Sequence, residues 1–165
     1  MNDKTIYIIC GYARVGKDTF AQHLADALDT KMGTTSDIIY ETMSVRRGVS
    51  VDELKAIWKE DLRDDLVEMG DALCNIAPDY LAQALINRGV RVISGVRRLS
   101  EAQAIREPKK IIWMERRHFT SPPDNTELSL SLLADTILQF GEGDLEGMKI
   151  AAQQIADNEL DGMHV

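Results

Sequence analysis

Gly11-Tyr12-Ala13-Arg14-Val15-Gly16-Lys17 carries two glycines with four residues between them and a lysine directly after the second. Glycines at that spacing let successive backbone N–H groups turn inward around an anion, with no Cβ blocking its approach. The lysine adds a mobile positive charge for the outer oxygens of a polyphosphate. This chemistry needs a buried strand to deliver the loop and a helix N-terminus to receive it. Both are written in the flanks. Thr5-Ile6-Tyr7-Ile8-Ile9 reads as a strand buried on both faces, and Phe20, Leu24 and Leu28 then recur at helical spacing. The plainer alternative is a glycine-rich turn with a solvated lysine, which explains the glycines but not the switch from strand to helix at the loop.

One position departs from the pattern. Ser or Thr normally follows the lysine and ligates Mg²⁺, whereas this chain has Asp18 and then Thr19. The Gly-Lys-Asp-Thr variant resembles the loop of phage-type deoxynucleoside monophosphate kinases, and phosphomevalonate kinases are similar there. The resemblance implies that Asp18 lies near Mg²⁺, directly or through water, and Thr19 near the inner phosphates of ATP. The ATP-binding set is then Gly11, Tyr12, Ala13, Arg14, Val15, Gly16, Lys17, Asp18 and Thr19.

The chain of 165 residues is most simply one domain, long enough to bury a substantial core. Its net charge of −8 argues against a general nucleic-acid binder or a protein of anionic membranes. No apolar run approaches the ~20 residues that span a bilayer, and the N-terminus lacks the pattern of a signal peptide, so the expected location is the cytoplasm. Cys10 and Cys74 read as small hydrophobes rather than a disulfide, and His23, His118 and His164 lack metal-ligand spacing, so no zinc site is expected.

After the first helix, residues 31–37 read as a polar loop capping a helix that begins near Ile38 and ends at Gly48 behind Arg46 and Arg47. Ser50-Val51-Asp52-Glu53 is a capping box opening a short helix with Leu54, Ile57 and Trp58 facing inward. From Lys59 to Ile76 the period is helical, with Leu62, Leu66, Met69 and Leu73 on one face. Another helix spans about 78–87. Tyr40, Trp58 and Tyr80 are the aromatics that either stack on a base or fill the core.

Val90 to Val96 forms a second buried-strand pattern, with Arg97 and Arg98 directly at its carboxyl end and a capping box at Ser100-Glu101-Ala102-Gln103. Paired guanidinium groups there suit bidentate phosphate recognition, against the plainer reading of a solvated charge pair. The acid that many phosphate-loop enzymes carry near this strand end is missing: after Ile93 none occurs until Glu101. A third strand, Ile111 to Met114, runs into Glu115, Arg116, Arg117 and a proline-containing loop, the pattern of a lid that closes cations over a transferring group. A turn from Asp124 opens a helix with Leu128, Leu130, Leu132 and Leu133. Asp135 to Phe140 is the last strand, and Leu145, Met148, Ala152 and Ile155 form the buried stripe of a closing helix.

Several of these segments resemble the phage kinases in kind and order. Lys59-x-x-x-Arg63, Gly70-Asp71 and Pro78-Asp79-Tyr80 are similar to their acceptor-side helices, which implies that Arg63 grips the acceptor's phosphate. The Gly95-Val96-Arg97-Arg98-x-x-Glu101 run resembles another of their segments, with Glu101 expected to pair with an arginine. The expected fold is a three-layer α/β/α phosphate-loop kinase with a four- to five-stranded parallel sheet, acceptor helices over about 34–88 and a short lid over about 115–127. The expected reaction is phosphoryl transfer from ATP, with Mg²⁺, to a (deoxy)nucleoside monophosphate. Lys17, Arg63, Arg97 and Arg116 are its catalytic residues, Arg63, Arg97 and Arg98 hold the acceptor, and Arg117 joins the ATP site. The resemblance also points to a phage or prophage source and allows a homodimer. A phosphomevalonate-like metabolite kinase and a non-catalytic nucleotide-binding regulatory module are the competing readings. A nucleic-acid motor is the least favoured.

Overall fold

The computed structural model describes residues 4–12, 14–57, 59–118 and 130–162. Strand β1 (Ile6–Gly11) is buried along its length, as its unbroken apolar run requires. Helix α1 (Lys17–Ala27) follows the loop with Phe20, Ala21, Leu24 and Ala25 turned inward. Next come β2 (Lys31–Thr34), α2 (Thr35–Arg47), α3 (Val51–Ala56), α4 (Lys59–Ile76) and α5 (Tyr80–Ile86). They lead to β3 (Val90–Ser94), α6 (Leu99–Ala104), β4 (Lys109–Arg116), β5 (Thr136–Phe140) and α7 (Leu145–Gly162).

The strands form one sheet in the order β2-β3-β1-β4-β5, parallel at every neighbouring pair. Side-chain alternation along β1 divides the core into two layers. Ile6, Ile8 and Cys10 pack with Ile38, Leu73, Leu81 and Ala102 of α2, α4, α5 and α6, while Tyr7 and Ile9 pack with Phe20, Leu24, Met148 and Ala152 of α1 and α7. The expected three-layer α/β/α fold is thus observed, with five strands. The chain builds β2 and β3 on one side of β1 and then crosses to β4 and β5 on the other. In such a sheet the crevice at the carboxyl ends of the strands around the crossing is where a ligand binds.

The sequence missed β2, which occupies the first four residues of the expected loop. It is a short edge strand, Lys31-Met32-Gly33-Thr34, with no β-branched run to announce it. Its glycine answers to packing: a Cβ on Gly33 would lie 2.9 Å from Leu85 Cδ2 of α5. α2 therefore starts at Thr35 rather than near Ile38. The Thr34 hydroxyl accepts from the Asp37 N–H and the Asp37 carboxylate accepts from the Thr34 N–H, both at 3.3 Å, a reciprocal cap. Ser50 and Glu53 cap α3 in the same way, as expected.

Tyr40, Met43, Leu54 and Leu62 form a separate small core that ties α2, α3 and α4 together. Gly70 lets α4 close on α2, since a Cβ there would stand 3.1 Å from Ile39 Cδ1. Ile57, expected inward, is exposed because the backbone turns extended just past α3; Trp58 lies outside the described residues. β4 runs two residues past its expected end because Glu115 and Arg116 pair with Gln139 and Phe140 of β5. Of the expected lid, 115 and 116 are therefore strand, 117 and 118 form a turn, and 119–127 lie outside the described residues, as does Leu128. Leu130 is buried, whereas Leu132 and Leu133 are exposed. The buried stripe of α7 is Met148, Ala152 and Ala156, with Ile155 partly buried. Leu145 is exposed instead, because helical side chains lean toward the N-terminus and the first residue of α7 points past the core. Among the described residues no helix is long and apolar enough to cross a membrane.

Candidate active site

The loop between β1 and α1 sits at the carboxyl end of the central strand. Gly11 ends β1 at φ 150°, and a Cβ there would lie 2.5 Å from the Met114 carbonyl of β4, so the neighbouring backbone itself excludes a side chain. Arg14 and Gly16 have φ of 64° and 92° in the left-handed region, which turns the loop before α1 begins. Val15 is buried and anchors the loop, and Met148 of α7 supports it from beneath, its Cε lying 2.8 Å from where a Gly16 Cβ would stand. Lys17 folds back over the loop and donates to the Gly11 carbonyl at 2.5 Å. Ala13 lies outside the described residues. Tyr12 packs edge-on against the buried Trp113, with ring centroids 5.3 Å apart.

Asp18 and Thr19 are exposed in the first turn of α1. The Asp18 carboxylate accepts a hydrogen bond at 2.6 Å from the hydroxyl of Ser94, the buried last residue of β3, which pairs with Ile9 of β1. Its second oxygen has no hydrogen-bond partner among the described residues. Mg²⁺ takes oxygen donors and is commonly held by one or two carboxylates together with substrate phosphates and water. A carboxylate with one oxygen fixed and the other open, at the edge of the glycine loop, fits that ion. Among the described residues no three acidic, histidine or cysteine side chains gather into a metal cluster, so an ion here would share its shell with nucleotide and water.

The segment that follows β3 is pinned from several sides. Gly95 has φ 86°, and a Cβ there would meet the Thr35 hydroxyl at 2.7 Å, the same hydroxyl that donates to the Gly95 carbonyl at 2.8 Å. Glu101, buried in α6, accepts the backbone N–H groups of Arg97 and Arg98 at 3.3 and 3.1 Å. The Cys74 thiol of α4 donates to the same carboxylate at 3.6 Å. Glu101 was expected to pair with an arginine, and it does so through the backbone amides of Arg97 and Arg98, not through a guanidinium. It thereby caps α6, which starts at Leu99 and not after Ser100, because a helix N-terminus offers unpaired amides to an acid in its first turn. Arg97 is exposed, and the Arg98 guanidinium forms an ion pair with Asp71 of α4.

Arg116 bridges two sides of the crevice. It donates to the Arg14 carbonyl in the loop at 3.4 Å and pairs with Glu142, in the turn before α7, at 2.8 Å. Arg117 is exposed, and its N–H donates to the Phe140 carbonyl at 2.8 Å. Arg63 stands apart. Its side chain is 68% exposed, with Glu60 at 3.8 Å as its ion-pair partner, and it lies eight residues along α4 from Asp71, or about 12 Å along the axis. The structure thus gathers Lys17, Asp18, Arg116 and the Arg97–Arg98 segment around the carboxyl ends of β1, β3 and β4, and leaves Arg63 in solvent. Ser94, Thr35 and Glu142 join the site without having been singled out for it, and Asp71, quoted only within the acceptor-helix resemblance, joins as the partner of Arg98. Each is an ordinary polar residue whose role depends on which strand end it terminates or faces.

Two cavities lie beside α2. One of about 360 Å³ is lined by Met43, Arg46, Arg47, Asp65, Glu68, Met69 and Ala72, where Arg47 pairs with Asp65 at 2.6 Å. The other, about 570 Å³, runs along the outer edge of β2 and contains opposed charges that pair with one another: Arg88 with Glu41 at 2.7 Å and Lys55 with Asp37 at 3.7 Å. The Gly11–Lys17 loop lines neither. Of the aromatics, Tyr40 is buried in the small core beneath Lys55, and Tyr80 is partly exposed at the start of α5.

No protein-family model matches the chain, and comparison with curated proteins finds no match. Solved structures share its fold. A Chloroflexus aurantiacus protein proposed to be a kinase superposes with a TM-score of 0.57 at 16% identity, over 98% of this chain and 99% of its own. Shikimate kinase from Acinetobacter baumannii, in complex with shikimate, gives 0.52 at 14% identity over 96% and 94%. Dephospho-CoA kinase from Campylobacter jejuni gives 0.52 at 13% identity over 95% and 98%. The chain therefore has the three-layer α/β fold of these proteins.

Proposed function

We propose that this chain is an ATP-dependent kinase that phosphorylates a (deoxy)nucleoside monophosphate, giving the diphosphate and ADP. The observation that carries this reading is the convergence of Lys17 and Arg116 on the backbone of one glycine loop: Lys17 on the Gly11 carbonyl at 2.5 Å and Arg116 on the Arg14 carbonyl at 3.4 Å. Cations resting on the carbonyls of a loop built for anions are placed to move onto phosphate oxygens when a polyphosphate enters.

In the reaction an oxygen of the acceptor's phosphate forms the new bond to the γ-phosphorus, and the bond to the β-bridging oxygen breaks, leaving with its electron pair as ADP. The attacking oxygen is already ionised at neutral pH, so no strong base is needed, and positioning with charge neutralisation carries the catalysis. The loop amides and Lys17 hold the donor's outer phosphates, and Arg116 with Arg117 faces the transferred group. The Gly95–Arg98 segment presents Arg97 and Arg98 to the acceptor; Arg63, in solvent on α4 beside Glu60, would have to swing in to join them. Asp18 would hold Mg²⁺, which when bound neutralises charge between the β- and γ-phosphates.

A second reading, a small-metabolite kinase, draws support from Arg63: the arginine assigned to the monophosphate is paired with Glu60 in solvent instead of standing with Arg98. Shikimate kinase and dephospho-CoA kinase share the fold. The test is ADP release from Mg-ATP with each nucleoside and deoxynucleoside monophosphate, and with hydroxylated and phosphorylated metabolites, beside Lys17→Ala. Stimulation by one or a few monophosphates, lost in Lys17→Ala, establishes the nucleotide kinase. Stimulation only by metabolites establishes the second reading, and ATP binding without stimulation by any acceptor points to a regulatory module.

A further inference from the structure

Phosphate-loop enzymes hold Mg²⁺ with a hydroxyl that follows the loop lysine and an acid from a neighbouring strand end. In this chain both positions are filled by the other group. The residue after Lys17 is an acid, Asp18, and β3 ends on a hydroxyl, Ser94, with Gly95 and Val96 beyond it. The two side chains meet at 2.6 Å, so they occupy the same place from opposite sides. We propose that the acid and the hydroxyl have exchanged elements: Asp18 is the protein's carboxylate toward the metal, and Ser94 is the residue that positions it. This rests on the kinase reading and assigns the metal side of that same site.

Three observations bear on it. Ser94 is buried at 1% exposure, so its hydroxyl is held by the sheet, with Ile9 on one side and Thr34 on the other, and offers Asp18 a fixed partner. Its hydrogen bond takes one carboxylate oxygen and leaves the other for an ion or its water, which is how a partner behind a ligand orients it. The site keeps one carboxylate and one hydroxyl, the same charge and donor chemistry as the usual arrangement. The acid missing from the end of β3 is therefore relocated, and catalysis need not have been lost with it.

The experiment measures Mn²⁺ binding to the protein–ADP complex by electron paramagnetic resonance, with ADP affinity in chelator measured separately by calorimetry. Asp18→Asn keeps an acceptor for Ser94 and should weaken Mn²⁺ binding by about a hundredfold, and Ser94→Ala by about tenfold, each compared after allowing for that variant's own metal-free ADP affinity. Asp18→Ser alone should behave as Asp18→Asn. The double variant Asp18→Ser with Ser94→Asp, which restores the usual arrangement, should recover Mn²⁺ binding. Circular dichroism and thermal unfolding report whether each variant folds. Wild-type Mn²⁺ affinity in Asp18→Asn, or a folded double variant no better than Asp18→Ser, overturns the exchange and leaves the kinase reading standing. Failure of the wild-type protein to bind ADP at all overturns both.

Discussion

Cys74 of α4 donates to the carboxylate of Glu101 at 3.6 Å, across the junction between α4 and the segment that carries Arg97 and Arg98. Burial, then the negative charge of Glu101, pushes the Cys74 thiol up to about 12 from its ordinary 9.0. The folded state therefore keeps this proton where the unfolded state releases it. The associated stability is full below about pH 9 and is lost as pH rises toward about 12. In a Cys10→Ala background, Cys74 should react with a disulfide reagent at pH 8 about a hundredfold or more slowly than in the urea-unfolded chain, since only the thiolate attacks. Equal rates would show that the contact does not persist in solution.

Three glycines should rank by what a Cβ meets. Gly48→Ala, at φ 67° with nothing within 4 Å, carries only left-handed strain, about 1 kcal/mol. Gly16→Ala, at φ 92°, adds a contact with the flexible end of Met148 and should cost about 2 kcal/mol. Gly11→Ala drives a Cβ into the Met114 carbonyl of β4 and should be the most destabilising of the three. Urea unfolding of the three variants gives the order.

At the amino end of the sheet, the Glu159 carboxylate of α7 accepts from the Tyr7 hydroxyl and the Arg91 guanidinium, both at 2.6 Å, and Arg91 is only 12% exposed. Glu159→Ala leaves Arg91 largely buried without its partner and should cost about 3 kcal/mol. Tyr7→Phe removes one neutral donor and should cost about 1 kcal/mol. Burial and the hydrogen bond to Glu159 push the Tyr7 hydroxyl above the usual tyrosine range. Its contribution is complete below about pH 10 and fades as pH rises further. Ultraviolet difference titration should show one tyrosine that resists ionisation until the chain unfolds.

Arg116 and Arg63 should separate kinetically. Arg116→Ala removes a cation that bonds the loop itself, and kcat should fall about a hundredfold. Arg63→Ala should raise the acceptor KM about tenfold with kcat little changed, the pattern of a lost binding contact. An Arg63→Ala enzyme with an unchanged acceptor KM would remove Arg63 from the acceptor site and favour Arg98 with Asp71 as its organising pair.

The buried strands, the glycine loop between β1 and α1 and the long α4 are legible in the sequence because each is a local pattern: β-branched runs, glycine spacing, a four-residue apolar stripe. β2 is not, because an edge strand of four residues containing Gly33 is specified by its contact with Leu85 and by pairing to β3. The end of β4 was misplaced for the same reason, since Arg116 is strand only through Phe140. In the site, Lys17 and Asp18 announce themselves by their place after the glycines. Ser94 and Thr35 do not, because their roles come from strand order, which sets the end of β3 against β1 and the first turn of α2.

The edge-on packing of Tyr12 against Trp113 gives the loop an optical signal of its own. Trp113 is buried, while its aromatic neighbour belongs to the glycine loop proposed to hold phosphate, so a polyphosphate that shifts Tyr12 alters the surroundings of a shielded indole. With Trp58 replaced by phenylalanine, Trp113 is the sole remaining tryptophan, and its emission should change on adding ADP with the same midpoint as calorimetry. Occupancy of the loop could then be followed in stopped flow without a labelled nucleotide, before any acceptor is known.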